Sequence, residues 1–179
     1  MRKPFLAALL VLGFASTSFA QDRSNLEVFR DVSAQVNRYA YFTIFDSVHA
    51  NVDAGYVTLS GKVTMPFKAS EIEKRVAKVD GVKGVRNNIA VLPVSSFDER
   101  LRLGIARALY RHPSLSMYGL GSNPSIHVIV ERGRVTLDGV VNNDMDKVIA
   151  SSVARSFLAF DVKNELKTDE EMRQELEKL

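Results

Sequence analysis

The chain has 179 residues, 46% of them hydrophobic and 25% charged, with 24 basic against 21 acidic residues. That length fits one or two small domains, and that composition excludes a largely disordered chain. The absence of cysteine excludes a disulfide framework, a thiolate zinc site and a cysteine nucleophile, and the near-balanced charge argues against a nucleic-acid binder.

Residues 1–20 read as a secretory signal peptide. Arg2 and Lys3 give a positive start, an apolar run spans Phe5 to Phe14, and Ser18-Phe19-Ala20 places cleavage after Ala20. The apolar run is too short to span a bilayer. No cysteine follows it, so a lipoprotein anchor is not expected. No later stretch has the length of a transmembrane helix, so the mature protein is expected in the periplasm without a membrane span. Loss of Arg2 and Lys3 takes the formal charge from +3 to +1.

The remainder is a duplication. Val48–Val63 aligns with Ile126–Val141 at a constant offset, and His, Val, Gly, Val, Thr, Leu, Gly and Val recur at matching positions. The expected arrangement is domain one over residues 24–92, a linker over 93–96, domain two over 97–167 and a charged tail over 168–179. Residues 21–95 hold ten basic and eight acidic residues, residues 96–167 the same, and the tail two and five. Two mildly basic domains thus precede an acidic end.

Each copy opens with a helix. Ser24 with Glu27, and Ser96 with Glu99, fit the S-x-x-E capping box. Leu26, Phe29, Val32 and Val36 form the apolar stripe of the first helix, and Leu101, Ile105, Ala108 and Leu109 that of its counterpart. Asp98 and Glu99 at the start and Arg107 and Arg111 near the end suit the helix dipole, and Pro113 stops the helix. A hairpin follows, with Asp53-Ala54-Gly55 and Glu131-Arg132-Gly133 as three-residue connections whose glycines, Gly55 and Gly133, take positive φ. Gly61 and Gly139 lie within strands, where glycine signals a bulge or close packing of a helix. The next helix starts near Pro66 in copy one, with Ala69, Ile72, Val76 and Val79 inward. In copy two Asn143 caps it, with Val148, Ile149, Val153 and Phe157 inward. Strands Val85–Val91 and Val162–Leu166 close the two units. In the tail Thr168 and Glu171 fit a third capping box. The fold class is α+β: two tandem α-β-β-α-β units, each with two helices on a three-stranded sheet.

This pattern resembles the BON family of bacterial envelope proteins. The residues carrying the likeness are Val52, Gly55, Val57-Thr58-Leu59-Ser60-Gly61, Val79-Asp80-Gly81-Val82-Lys83-Gly84-Val85 and Asn87-Asn88 in copy one. In copy two they are Val130, Gly133, Val135-Thr136-Leu137-Asp138-Gly139 and Val162-Lys163-Asn164. Copy two departs at the exit of its second helix, where Leu158 and Asp161 stand in place of Gly81 and Gly84, so that turn must differ. The resemblance implies a non-catalytic periplasmic binding module of the osmotic-stress or envelope-integrity kind, associated with phospholipid surfaces, and no catalytic residues.

The residues themselves advertise no chemistry. His49 and His127 occupy equivalent strand positions without a spaced ligand cluster, and read as strand residues kept by duplication. Gly119-Leu120-Gly121 precedes a strand rather than a helix and fails as a phosphate cradle. Glu71 and Glu73 read as a solvated helix face. No nucleophile elbow or P-loop is present, so neither an enzyme nor a cofactor is expected. One constellation stands out in domain two. Arg100, Arg107 and Arg111 share a helix face. Leu103 and Tyr110 lie beside it, and the following loop carries Leu115, Met117 and Tyr118. Cations beside an apolar edge are what an anionic bilayer favours. The partner expected is therefore anionic phospholipid or an envelope protein. The alternatives are that Leu103, Tyr110 and the loop pack internally, or that the apolar loop serves a soluble chaperone-like or scaffolding stress protein.

Overall fold

A computed structural model describes residues 23–120 and 123–178. The signal-peptide reading of residues 1–20 lies outside them. Domain one comprises α1 (Asn25–Asn37), β1 (Ser47–Asp53), β2 (Tyr56–Val63), α2 (Pro66–Val76) and β3 (Gly84–Val91). Domain two repeats the order with α3 (Ser96–Arg111), a 3₁₀ turn over Ser116–Gly119, β4 (Ile126–Glu131), β5 (Arg134–Val141), α4 (Asp144–Arg155) and β6 (Asp161–Asn164). A two-residue strand β7 (Lys167–Thr168) and helix α5 (Asp169–Leu176) follow.

In each sheet a hairpin pairs antiparallel and the last strand joins the middle one in parallel, giving the orders β1-β2-β3 and β4-β5-β6. The crossover helix makes the parallel pairing reachable. The second sheet is four-stranded, because β7 pairs with β5 beyond the end of β6. The expectation of three strands holds only in domain one. Val28, Val32 and Val36 of α1 and Ile72 and Val76 of α2 close over Val52, Val57, Leu59 and Val63. In domain two Leu101, Ile105 and Leu109 of α3 and Ala150 and Ala154 of α4 cover Val128, Val130, Val135 and Leu137.

Several local expectations shift. The Ser24–Glu27 and Thr168–Glu171 capping boxes form, but α3 is capped by Ser95, whose hydroxyl accepts from the Asp98 N–H at 3.2 Å. Ser96 is instead the first helical residue. The hairpin loops are two residues long, since Asp53 pairs with Tyr56 and Glu131 with Arg134. Both loop residues take positive φ, 48° and 84° at Ala54 and Gly55, and 52° and 74° at Arg132 and Gly133. That is the type I′ geometry, which matches the strand twist. Gly61 and Gly139 (φ 123° and 121°) are held neither by a bulge nor by a helix. A Cβ there would sit 2.1 Å from the Ser47 carbonyl oxygen or 1.9 Å from that of Ser125 on the neighbouring strand. In α4 the inward residues are Asp146, Ala150 and Ala154, flanked by Ile149, Val153 and Phe157, while Val148 is exposed. Small alanines let α4 sit close to the sheet and rotate the helix away from the expected stripe.

The stretch from 38 to 46, between α1 and β1, has no regular structure but ends in a buried polar centre. Asp46 is fully buried. Its carboxylate accepts from Thr43 N and Oγ1 (both 2.8 Å), Thr64 N (2.7 Å), Thr64 Oγ1 (2.9 Å) and Lys68 Nζ (2.7 Å). Burial alone would raise its pKa, but the Lys68 ammonium and these donors hold it below the ordinary aspartate range. The same stretch docks on domain two. Ile44 and Phe45 pack against the second core, and the Val128 N–H donates to the Ile44 carbonyl at 2.7 Å, so this arm lies against the β4 edge.

Candidate functional site in the second domain

The outer face of α3 is built by what the inner face must hold. Asp98, buried, turns its carboxylate to the tip of the β4–β5 hairpin and accepts from Arg132 N and Gly133 N, each at 2.8 Å. Two backbone donors that the tight turn leaves unpaired are thereby satisfied. Arg102, also buried, donates to the Val130 carbonyl at 3.1 Å, pairs with Glu99 at 3.1 Å and lies 5.9 Å from the Phe45 ring centroid. These contacts fix the helix rotation, and Arg100, Arg107 and Arg111 point out.

All three of those arginines are exposed. None has a side-chain hydrogen bond or ion pair among the described residues, unlike Arg102 on the inner side. Leu103 is partly buried at the border of this face. Tyr110 is partly buried too. Its hydroxyl donates to the Ile126 carbonyl, its ring backs onto Gly119, and burial pushes its pKa well above the usual tyrosine value. Tyr110 therefore edges the face but presents no free hydroxyl.

The loop after α3 corrects the expectation more sharply. Leu115 and Tyr118 belong to the core of domain two. The Tyr118 hydroxyl donates to Asp146 at 2.5 Å and accepts from Asn142 N at 2.8 Å, tying the loop to the start of α4. Met117 and Leu120 remain outside, 53% and 76% exposed. An apolar loop of this kind folds in because its large side chains have a cavity to fill and its tyrosine a polar partner.

The structure adds two residues that sequence reasoning missed. Phe97, in the first turn of α3, stacks on Phe160 with ring centroids 6.2 Å apart, and both are exposed, Phe160 by 80%. Leu158 lies near it in sequence and is 90% exposed. These are the residues of the divergent α4–β6 turn. The replacement of Gly81 and Gly84 by Leu158 and Asp161 is the signal for it, and Leu158 takes no positive φ whereas Gly81 does (87°). The face thus runs from an aromatic end at Phe97 and Phe160 along Arg100, Arg107 and Arg111, with Leu103 and Tyr110 on one flank.

The paired histidines meet at the contact between domains. His127 is buried, with Nδ1 2.6 Å from the Asp46 carbonyl oxygen and its ring 5.4 Å from that of Phe42. His49 Nε2 lies 3.1 Å from Asp138, which also accepts from the Ser47 hydroxyl. Burial would raise the Asp138 pKa, but His49, Ser47 and the Gly139 N–H bring it down to about 2. Among the described residues no group of three or more acidic or histidine side chains is placed to hold a metal ion. Nor is any described helix long and apolar enough to cross a membrane.

Among curated proteins no sequence matches. Two solved structures of CdsD, a structural protein of the type III secretion system of Chlamydia trachomatis, are similar at low identity. The one described as its C-terminal domain is 15% identical, covering 87% of this chain and 71% of that one with a TM-score of 0.32. The other is 17% identical, covering 84% and 97% with a TM-score of 0.28. The BON domain profile matches twice, over residues 30–93 and 98–170. These two matches take in most of the sequence, and the chain belongs to the BON domain family.

Proposed function

We propose that the protein is a non-catalytic periplasmic module that docks on anionic phospholipid surfaces through the outer face of α3, in envelope maintenance or osmotic stress. BON domains are membrane- and phospholipid-binding modules of envelope proteins, which supports this reading. The observation that carries it is the set of three exposed arginines with no ion-pair partner among the described residues, bordered by Leu103 and by the exposed Phe97–Phe160 stack. Such a face offers an anionic bilayer both terms of interfacial binding. Each cation near an anionic surface contributes about 1 kcal/mol, and the rings contribute buried apolar area. Three arginines give about 3 kcal/mol, a weak and salt-sensitive attraction that the aromatic end would reinforce.

Co-sedimentation with vesicles tests this. The protein should pellet with vesicles containing phosphatidylglycerol and stay in solution with phosphatidylcholine alone, and Arg107→Glu with Arg111→Glu should abolish pelleting. Equal recovery on both vesicles, unchanged in the double variant, would sink the proposal. The chaperone-like reading turns on an exposed apolar loop over residues 114–120; Leu115 and Tyr118 are buried there, which leaves Met117 and Leu120 as its exposed apolar residues.

A further inference from the structure

We propose that the contact between the two domains is a proton-gated clasp, which protonation of His49 tightens and protonation of His127 loosens. The argument starts from geometry. The arm ahead of β1 lies against β4 through the Val128–Ile44 hydrogen bond, and the two repeat-equivalent histidines stand on either side of that contact. Lys62 and Glu131, 2.5 Å apart, form a further ion pair across it.

The surroundings of the two rings are opposite in character. His49 is half exposed, and its Nε2 reaches across the contact to the Asp138 carboxylate. Ser47 on its own strand also faces it, at 3.1 Å, and Lys167 and Glu165 on domain two, of opposite sign, lie further off. The carboxylate partner raises the His49 pKa. His127 is enclosed instead. The Phe42 ring lies against it, its Nδ1–H is positioned to donate to the Asp46 carbonyl, and Asp138 stands opposite it on β5. Asp138, the Asp46 carboxylate and the Thr43 carbonyl all favour a charged ring, but Lys68 neutralises Asp46, and burial outweighs the rest. The net effect lowers the His127 pKa.

When the domains separate, both rings meet water and return to about 6.5. Docking free energy then depends on pH through each ring in turn. His49 has the higher pKa when docked, so its contribution is complete below about 6.5 and is lost as pH rises through the docked value. His127 has the lower pKa when docked, so docking is undisturbed above about 6.5 and weakens as pH falls toward the docked value. The two effects meet, and docking is tightest near pH 6.5 and weaker on both sides. One proton per ring limits each slope to about tenfold in the docking constant per pH unit.

The test is amide hydrogen exchange at Val128 in the mature chain, corrected for the intrinsic pH dependence, together with NMR titration of the two rings. The Val128 protection factor should peak near pH 6.5 and fall severalfold toward pH 5 and toward pH 8.5, with His49 titrating above and His127 below the ordinary value. His49→Gln should remove the fall on the alkaline side and leave the acid side intact. His127→Gln keeps a donor for the Asp46 carbonyl and should remove the acid fall. Should that variant fail to dock, the wild-type ring titrations decide the matter alone. Protection independent of pH, no protection at any pH, or two rings titrating together would each overturn the proposal.

Discussion

Replacing Asp46 by alanine is expected to destabilise domain one by about 3–5 kcal/mol, the usual result of removing one partner from a buried ion pair. The structure says why the effect should be this large for one small side chain. Lys68 is 6% exposed at its side chain and Asp46 not at all, so the ammonium left behind would keep only the Thr64 hydroxyl, at 2.7 Å. Two backbone donors, Thr43 N and Thr64 N, lose their acceptor as well. Because the cost is that of an orphaned charge, a second change should recover much of it: Asp46→Ala with Lys68→Met should be more stable than Asp46→Ala alone. Urea unfolding followed at the amides of Leu59 and Leu137 would read the two domains separately, with the loss confined largely to the first. The carboxylate is held below its ordinary range, so the stability it supplies is present above about pH 3.9 and disappears as pH falls through the folded value. The gap between wild type and variant should therefore narrow in acid. A loss below about 1 kcal/mol, or a double variant weaker than the single by the full cost of Lys68→Met, would refute the reasoning.

Other outcomes follow from the same structure. Gly139→Ala should destabilise domain two by at least about 1–3 kcal/mol, since the added Cβ meets a backbone carbonyl at positive φ. Gly84→Ala, whose Cβ would meet only the Tyr56 ring at 3.2 Å, should cost less, and thermal unfolding of the two variants checks the order. Leu115→Ala should lower stability by about 2–5 kcal/mol in denaturant titration while leaving vesicle binding intact, as befits a core residue. Tyr118→Phe should cost about 1–3 kcal/mol in the same titration, because Asn142 N loses an acceptor and Asp146 a donor.

Much of this architecture is legible in the sequence because it is written locally and twice. The hairpins announce themselves through Gly55 and Gly133, the helix starts through Ser24, Asn143 and Thr168, and the repeat doubles every signal. What escaped depends on contacts distant in sequence. Nothing near Asp46 says that Lys68 and Thr64 will close around it, since those partners arrive only when β2 and α2 fold back. Leu115 and Tyr118 look like an exposed apolar loop because their cavity is supplied by α4 and β4. Val148 fits the helical stripe of α4, but Ala150 and Ala154 pack closer and turn it out. In the candidate site the arginine face was readable from the 100° repeat of α3. The Phe97–Phe160 stack was not, because it joins residues 63 positions apart across a turn where the two copies differ.

The measurement that bears most directly on the central claim is paramagnetic broadening of the protein's amide signals by vesicles carrying a nitroxide-labelled anionic lipid. If α3 is the docking face, broadening should concentrate at Phe97, Arg100, Leu103, Arg107 and Arg111 and at Phe160, and should spare β3 and α5. Uniform broadening, none at all, or broadening centred on domain one would contradict the account.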